Sequence, residues 1–259
     1  MIVALTREPA RAMTGCELTY LDRRPVDAAL AAEQHRAYRE TLAACGARVV
    51  ALPAIEELPD SVFVEDTAVV LDELAVLTSP GSHSRRGEVG LMEPEVARLR
   101  PVERVSLPAT IEGGDVLRVG RRLFVGLSPR TTPAGAEALR RLAAPLGYEV
   151  TAVEVRDCLH LKTGCSALDD ETILVNPDWV DTGAFRGYEV VRVHAGEPWA
   201  ANALRVGASL CVSAAHPRTN ELIGRRGYDV RPLDISEFAK AEGGLTCLSL
   251  IFQQRLAVS

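Results

Sequence analysis

The sequence lacks three features that mark common protein classes. Lysine and arginine are fewer than aspartate and glutamate, 29 against 35, and they form no basic run that would bind nucleic acid or an anionic membrane. No apolar stretch approaches the ~20 residues that span a bilayer. The first ten residues hold too few apolar side chains for a signal-peptide core. We therefore expect a cytoplasmic protein with no nucleic-acid or membrane partner.

The six cysteines lack the C-x-x-C spacing of zinc sites and redox dithiols, so free thiols are expected. One of them, Cys247, follows Gly243 and Gly244 in the stretch AEGGLTCLSL. Paired glycines allow the backbone to approach a ligand closely, which favours a ligand-facing loop. The alternative is a packing cysteine behind a simple turn, since free cysteines are usually buried.

One pattern recurs about five times along the chain: a short apolar strand, a tight polar turn, a second strand, a helix and a third strand. The hairpin segments are EDTAVVLDELAVLTSP, EGGDVLRVGRRLFVGLSPR, TGCSALDDETILVNPD and ANALRVGASLCVSAAHP. A fifth segment, GGLTCLSLIF, has no second strand of its own. We expect MIVALT from the N-terminus to pair with it, which would close a ring and cover both open edges.

The helices and third strands follow the same repeat. Residues 26–45 are rich in Ala, Glu and Arg and end at Gly46, which predicts a helix. The third strands are ARVVALP, VERVSLP, YEVTAVEV, YEVVRVH and YDVRPLD. This predicts an α/β fold of five ββαβ units around a pseudo-fivefold axis, with residues 1–259 as one domain. An ordinary α/β sheet with irregular insertions is the alternative.

Polar residues occupy the junctions between successive units. They are Glu65 and Asp66 in FVEDTAVV, Glu112 in TIEGGDVL, His160 in LHLKTG, Asn202 in AANALRV, and Cys247. Equivalent positions in a closed ring face the same axis, so the three acids, the histidine and the thiol should converge on one cavity. Each could instead be an ordinary surface or capping residue. The apolar flanks argue against that for the acids, because burying an unpaired charge is costly.

A thiol, a histidine and several acids together indicate nucleophilic attack on a cationic, electrophilic carbon, and a guanidinium fits. Its planar donors match paired carboxylates. Arg85 and Arg130 lie in loops after the first two hairpins, where they are either solvated or a clamp for a substrate carboxylate.

Four ordered segments carry a family resemblance across nearly the whole chain. LPDSVFVEDTAVV, IEGGDVLRVGRRLFVGLSPRT, HLKTG and GGLTCLSL resemble the dimethylarginine dimethylaminohydrolases, members of the pentein or guanidino-group-modifying superfamily. The resemblance implies a five-bladed ββαβ propeller. It also implies hydrolysis of Nω-methylated arginines to citrulline plus methylamine or dimethylamine, without a metal or organic cofactor.

The resemblance assigns roles to individual residues. It implies that Cys247 is the nucleophile, forming a covalent S-alkylthiouronium intermediate, that His160 is the acid and then the base, and that Glu112 orients His160. The substrate-binding residues that it implies are Leu18 and Ala241 through their carbonyls, Asp60, Glu65 and Asp66 for the guanidinium or amine, and Arg85 and Arg130 for the α-carboxylate. The acids around Cys247 would oppose ionisation of its thiol. We therefore expect a neutral thiol in the empty enzyme, activated when the guanidinium arrives.

Other activities remain open at this point. Arginine deiminase chemistry uses the same superfamily residues on unmethylated arginine, and an amidinotransferase would require an amine acceptor. A non-enzymatic pentein would be a binding module without the Cys–His pair. Cys247 and His160 alone are too few ligands for a stable zinc site. The sequence does not decide oligomeric state, and a homodimer is considered.

Overall fold

The computed structural model describes residues 1–254 and contains five three-stranded sheets. The sheets combine the strands in the orders β3-β4-β5, β6-β7-β8, β9-β10-β11, β12-β13-β14 and β15-β1-β2. The strands are β1 (Ile2–Arg7), β2 (Ala47–Leu52), β3 (Ala68–Val70), β4 (Ala75–Leu77), β5 (Val102–Arg104), β6 (Val116–Val119), β7 (Arg122–Leu127), β8 (Glu149–Glu154), β9 (Cys165–Ala167), β10 (Thr172–Val175), β11 (Glu189–Arg192), β12 (Ala203–Val206), β13 (Ser209–Ser213), β14 (Asp229–Leu233) and β15 (Leu250–Gln253).

Every sheet has the same internal pairing, and we call each sheet with its connecting segment a unit, numbered 1 to 5 in the order just given. The first two strands of a unit are antiparallel, and the second strand pairs in parallel with the third. A parallel pair needs a crossover connection, which explains why a longer segment precedes each third strand. The predicted ββαβ repeat and five-bladed propeller are therefore confirmed.

The two ends of the chain close the ring. β15 pairs antiparallel with β1, placing Ile2 opposite Gln253 and Leu5 opposite Leu250. The pairing of N- and C-terminal strands predicted from MIVALT and TCLSLIF is thus confirmed. This pairing completes the hairpin of unit 5 and covers the edge of β15 that would otherwise be open.

The crossover segments are helical in four of the five units. The α-helices of the described residues are α1 (Ala28–Ala44), α2 (Arg86–Ala97), α3 (Pro133–Ala143), α4 (Leu161–Gly164), α5 (Pro217–Gly224) and α6 (Ser236–Ala239). The Asp27 carboxylate caps α1 by accepting the amides of Ala29 and Leu30, and the chain leaves the helix through Gly46 at φ +89°.

Unit 3 departs from the predicted repeat. Between β10 and β11 the chain forms only a 3-10 turn, Thr182–Phe185, where a helix was expected. The connection is short and contains Pro177, Gly183 and Gly187, residues that disfavour a continuing helix. The prediction of a helix in every unit was wrong at this place.

The apolar core lies between units rather than inside them. Five buried clusters each combine side chains of two neighbouring units. One cluster packs Leu117 and Phe124 of unit 2 against Ile173 and Val175 of unit 3. Each unit therefore depends on its neighbours to bury its apolar surface.

Candidate active site

One short helical turn precedes the first strand of every unit. These turns are Val64–Thr67, Gly113–Asp115, α4, Pro198–Ala201 and Thr246–Leu248. The predicted junction residues lie on the turns or directly beside them. Hydrogen bonds connect turns of different units, for example Thr246 Oγ1 to Glu65 Oε2 at 2.8 Å. The ring thus gathers polar residues from distant parts of the sequence at its centre.

A narrow cavity lies between these turns, with about 20 Å³ of space, or room for roughly one water molecule. Its lining consists of Glu17, Asp60, Phe63, Asp66, Arg85, Glu112, Arg130, Leu159, His160, Ala241, Glu242, Gly243 and Cys247. Of the site residues expected from the sequence, Glu65 and Leu18 are the two outside this lining. A substrate of arginine's size requires the cavity to open.

His160 and Glu112 form an imidazole–carboxylate pair. His160 Nε2 lies 2.7 Å from Glu112 Oε2, and Nδ1 lies 3.9 Å from Asp66 Oδ1. Burial alone would lower the pKa of His160, but the surrounding carboxylates outweigh it and raise the pKa to about 9. The imidazole is therefore protonated at neutral pH and can act as an acid.

Cys247 faces the same cavity with a neutral thiol. Burial raises the pKa of this thiol to about 12, and the negative charges of Glu65 and Asp66 act in the same direction. The Gly244 amide donates to Sγ at 3.3 Å and partly opposes the effect. This agrees with the expectation that the thiol is not ionised in the empty cavity.

Asp66 is the ionised carboxylate beside the thiol and the imidazole. Burial would raise its pKa, but His160 and Arg85 outweigh burial and lower the pKa to about 2. Its Oδ1 accepts the Gly114 amide at 2.9 Å, and its Oδ2 accepts Arg85 Nη1 at 2.5 Å. Asp66, Glu112 and His160 could be considered as metal ligands by spacing. Because His160 Nε2 pairs with Glu112 and both oxygens of Asp66 already accept protein donors, we interpret the cluster as an acid–base group.

Arg85 is largely committed to protein partners. It donates from Nε and Nη2 to Glu88, at 3.2 and 2.7 Å, and from Nη1 to Asp66. Nη2 also reaches the carbonyls of Asp60 and Phe63 at 3.3 and 3.1 Å. One N–H of Nη1 remains for a substrate carboxylate, since a guanidinium carries five. The expected clamp can thus use Arg85 for a single hydrogen bond.

Arg130 also lines the cavity, with its Nη1 3.6 Å from Glu112 Oε1. Its Nη2 donates to Thr19 Oγ1 at 3.1 Å. This contact links Arg130 to the segment that contains Leu18. The role of Arg130 in binding a substrate carboxylate stays a prediction.

Residues 17–21 form a loop that is fastened beside the cavity. The Glu242 carboxylate accepts the amides of Thr19, Tyr20 and Leu21, at 3.0, 2.5 and 2.6 Å. Asp60 accepts the amide of Glu17 at 3.1 Å. Leu18 lies within this loop, half-buried against the apolar cluster of units 4 and 5. Two residues of the cavity lining, Asp60 and Glu242, thus hold this loop in place.

Ala241 and Glu242 form part of the cavity wall that leads to Cys247. Ala241 is buried, and Glu242 adopts φ 57°, in the left-handed region that non-glycine residues seldom occupy. This backbone conformation turns the chain between α6 and Gly243. It places Ala241, whose carbonyl is predicted to contact the substrate, next to Glu242, whose carboxylate holds residues 19–21.

Glu65 does not line the cavity, in contrast to its expected role in binding the guanidinium or the amine. Its Oε1 accepts Lys162 Nζ at 2.6 Å, and its Oε2 accepts the Thr246 hydroxyl. Both oxygens are thus used by the protein. Glu65, Lys162 and Thr246 line a central channel of about 460 Å³ instead. The Glu65–Lys162 ion pair therefore lines this channel and not the cavity that contains Cys247.

Sequence reasoning missed several residues that shape the site. Lys162 stands two residues after His160 in HLKTG, and Asp115 closes the turn of EGGDV, so motif position was a signal for both. Glu88 follows Arg85 by three residues on α2, the spacing of a helical ion pair. Glu242 had no signal, because its partners in residues 19–21 are far away in the sequence.

Comparisons with known proteins agree with this architecture. A profile described as arginine deiminase matches residues 52–197. An N(G),N(G)-dimethylarginine dimethylaminohydrolase of Pseudomonas aeruginosa is 37% identical over 251 residues, covering 96% of this chain and 98% of the relative. The Streptomyces coelicolor protein of the same name is 40% identical, covering 95% of each chain.

Solved structures lead to the same family. The Pseudomonas aeruginosa enzyme, as a cysteine-to-serine mutant with citrulline, superposes with a TM-score of 0.93 at 37% identity, over 96% of this chain and 98% of the other. A dimethylarginine dimethylaminohydrolase with a histidine-to-glycine substitution, solved as its S-methyl-L-thiocitrulline adduct, gives a TM-score of 0.93 at 36% identity, over 97% of this chain and 100% of the other. A five-unit ring and near-complete sequence coverage coincide here, so the chain belongs to the dimethylarginine dimethylaminohydrolase family.

Proposed function

We propose that this protein hydrolyses Nω-methylated arginines to citrulline, releasing methylamine or dimethylamine. The observation that carries the proposal is the neutral Cys247 thiol facing the His160–Glu112 pair and the ionised Asp66 in one buried cavity. A planar cation matches this excess of carboxylates. The names of the relatives, and the citrulline and thiocitrulline in their structures, support the same substrate class.

The first half of the reaction uses the protonation states of the empty site. When the substrate cation enters, the Cys247 thiol releases its proton to solvent, and the thiolate attacks the guanidinium carbon. His160, protonated at neutral pH, then donates its proton to the departing amine nitrogen. The C–N bond breaks, the amine leaves, and an S-alkylthiouronium remains on Cys247.

The second half reverses the role of His160. The neutral imidazole accepts a proton from water, and the resulting hydroxide attacks the same carbon. The C–S bond breaks, the hydroxyl proton of the adduct passes to the sulfur, and citrulline leaves with the Cys247 thiol restored. Glu112 stabilises the imidazolium in both halves through its hydrogen bond to Nε2.

Substrate binding follows the charges of the cavity wall. Asp66 and Asp60 accept N–H groups of the substrate, whereas Arg130 and the remaining N–H of Arg85 bind the α-carboxylate. The carbonyls of Leu18 and Ala241 are proposed to contact the substrate when the loop of residues 17–21 closes. The placement of Glu65 supports an indirect role for it, through the charge near Cys247.

The thiols and the apolar clusters bear on the cellular setting and on the domain organisation. All six cysteines are free thiols, which supports residence in the reducing cytoplasm. Within residues 1–254, no helix combines the length and apolar character needed to cross a bilayer. The clusters shared between units support one catalytic domain for the chain. Dimer formation stays a prediction, to be measured by sedimentation.

The direct test compares three substrates in separate reactions: asymmetric dimethylarginine, monomethylarginine and arginine. We expect citrulline and the corresponding methylamine from the first two, and Cys247→Ser should remain folded but form no citrulline. Cys211→Ser, at a buried thiol outside the cavity, is the control. An active Cys247→Ser variant would refute the assignment of the nucleophile.

Arginine deimination is the second candidate, favoured by the match of residues 52–197 to the arginine deiminase profile. The same three reactions distinguish it. If arginine is consumed fastest, with ammonia as the product, the methylarginine assignment is wrong.

A further inference from the structure

Asp115 is a buried acid of the site with no role in the reaction described above. It ends the turn Gly113–Asp115 and has no exposed surface. Asp115 does not line the cavity, so it does not contact the substrate. Its two carboxylate oxygens instead bind two different segments of the site.

The first oxygen holds the segment that carries His160. Asp115 Oδ1 accepts the Leu161 amide at 2.9 Å. Leu161 follows His160 directly and begins α4, and the His160 backbone is extended. This hydrogen bond therefore fixes the point at which the chain turns, and with it the direction of the imidazole.

The second oxygen holds the segment that carries Arg130. Asp115 Oδ2 accepts the Ser128 hydroxyl at 2.6 Å. The Ser128 oxygen in turn accepts the amides of Arg130 and Thr131, at 3.0 and 3.2 Å. A hydroxyl donates one hydrogen bond and accepts two, so Ser128 is fully used. Thr131 Oγ1 also accepts the Glu112 amide at 3.1 Å, which ties the Glu112 backbone to the same segment.

The surrounding packing leaves Asp115 little freedom. A Cβ at Gly126 on β7 would lie 2.7 Å from Asp115 Oδ1 and 2.7 Å from Leu161 Cβ. Such distances are shorter than real contacts, so glycine is needed at this point for the carboxylate and α4 to meet. The close fit indicates a fixed position for both oxygens.

We propose that Asp115 is a positioning residue that joins the His160 turn to the Arg130 loop. It keeps the His160 imidazole and the Arg130 guanidinium at a constant separation. The substrate, held by both, then presents its guanidinium carbon at the correct position for attack by Cys247. The proposal rests on the proposed function for the roles of His160 and Arg130.

Asp115 also acts on His160 through its charge, which provides a measurable signature. The negative charge of Asp115 is one of the causes that raise the pKa of the imidazole. The other charged or titratable groups around the imidazole and its cavity are Glu17, Asp60, Asp66, Arg85, Glu112, Arg130, Glu242, Cys158 and Cys247. Removing the Asp115 charge leaves all of these in place, so a change in His160 titration reports on Asp115.

The test compares Asp115→Asn and Ser128→Ala with the wild-type enzyme, using asymmetric dimethylarginine. Asp115→Asn should move the alkaline limb of kcat/KM to lower pH by roughly one unit and lower kcat. The His160 titration, followed by NMR without substrate, should shift in the same direction. Ser128→Ala keeps the carboxylate charge, so it should raise KM severalfold with the alkaline limb unmoved.

Glu197→Gln is the matched control. Glu197 is a buried carboxylate that accepts two backbone amides, those of Arg218 and Thr219, and lies outside the cavity lining. It should change neither the limb nor KM. An unchanged His160 titration in folded Asp115→Asn would overturn the proposal, as would a wild-type KM in Ser128→Ala. Because the NMR titration needs no turnover, these results are distinguishable from a failure of the proposed function.

Discussion

The ionisation of Cys247 is the sharpest prediction of this structure. The pKa of the thiol is about 12, against an ordinary value of 9.0. At about 1.4 kcal/mol per pH unit, this difference corresponds to about 4 kcal/mol that disfavours the thiolate in the empty cavity. At pH 8, roughly one thiol in ten thousand would then be ionised. A guanidinium between Asp66 and the sulfur should recover a large part of that free energy.

The assay is a pH titration of thiolate absorbance, taken as the difference between wild type and Cys247→Ser. This subtraction removes the five other thiols. Without ligand, the difference spectrum should show no thiolate up to pH 9. With methylguanidinium present, thiolate should form at lower pH, and alkylation of Cys247 by iodoacetamide should accelerate. Thiolate formation below neutral pH in the ligand-free protein would refute the reasoning.

Three further predictions follow from side chains described above. Glu112→Gln should lower the pKa of His160, because the imidazolium loses its bonded carboxylate, and the alkaline limb of kcat should move to lower pH; an unmoved limb contradicts this. Glu242→Ala removes the acceptor for the amides of residues 19–21, so KM should rise severalfold and trypsin should cleave after Arg23 faster, whereas an unchanged digestion rate rejects the fastening role. His35 is fully buried, its ring nitrogens have no hydrogen-bond partner, and burial lowers its pKa to about 3. As pH falls below 6.5, the unfolded chain therefore binds a proton at His35 that the folded chain does not bind, and folding becomes less favourable. His35→Phe should recover about 2 kcal/mol of unfolding free energy at pH 5, measured by urea denaturation. An equal pH dependence of the unfolding free energy in both proteins would contradict this prediction.

Much of the fold could be predicted because its signals are local. Alternating apolar residues around turns such as LDEL and VGRR predict hairpins, and these hairpins form as β3-β4 and β6-β7. The missing helix of unit 3 shows the limit of extending a repeat by analogy. There, Pro177 and the two glycines outweigh the pattern of the other units.

The site could be predicted where repeat position determines it. Asp66, Glu112, His160 and Cys247 come together because they occupy equivalent junctions of a closed ring. Glu65 differs from Asp66 by one residue but points to Lys162 and the channel, a choice that depends on side-chain direction within one helical turn. Interactions across hundreds of residues, such as Glu242 with residues 19–21, leave no local pattern in the sequence.

The clusters shared between neighbouring units have a consequence for how this chain can diverge. A unit that was deleted or duplicated would leave two mismatched apolar faces and would also displace the polar side chains that meet at the cavity. Changes in length should therefore be confined to hairpin turns and crossover segments, while the number of units stays at five. The same sharing predicts that a large-to-small substitution such as Phe124→Ala loosens units 2 and 3 together, so that unfolding remains a single cooperative event of the whole ring.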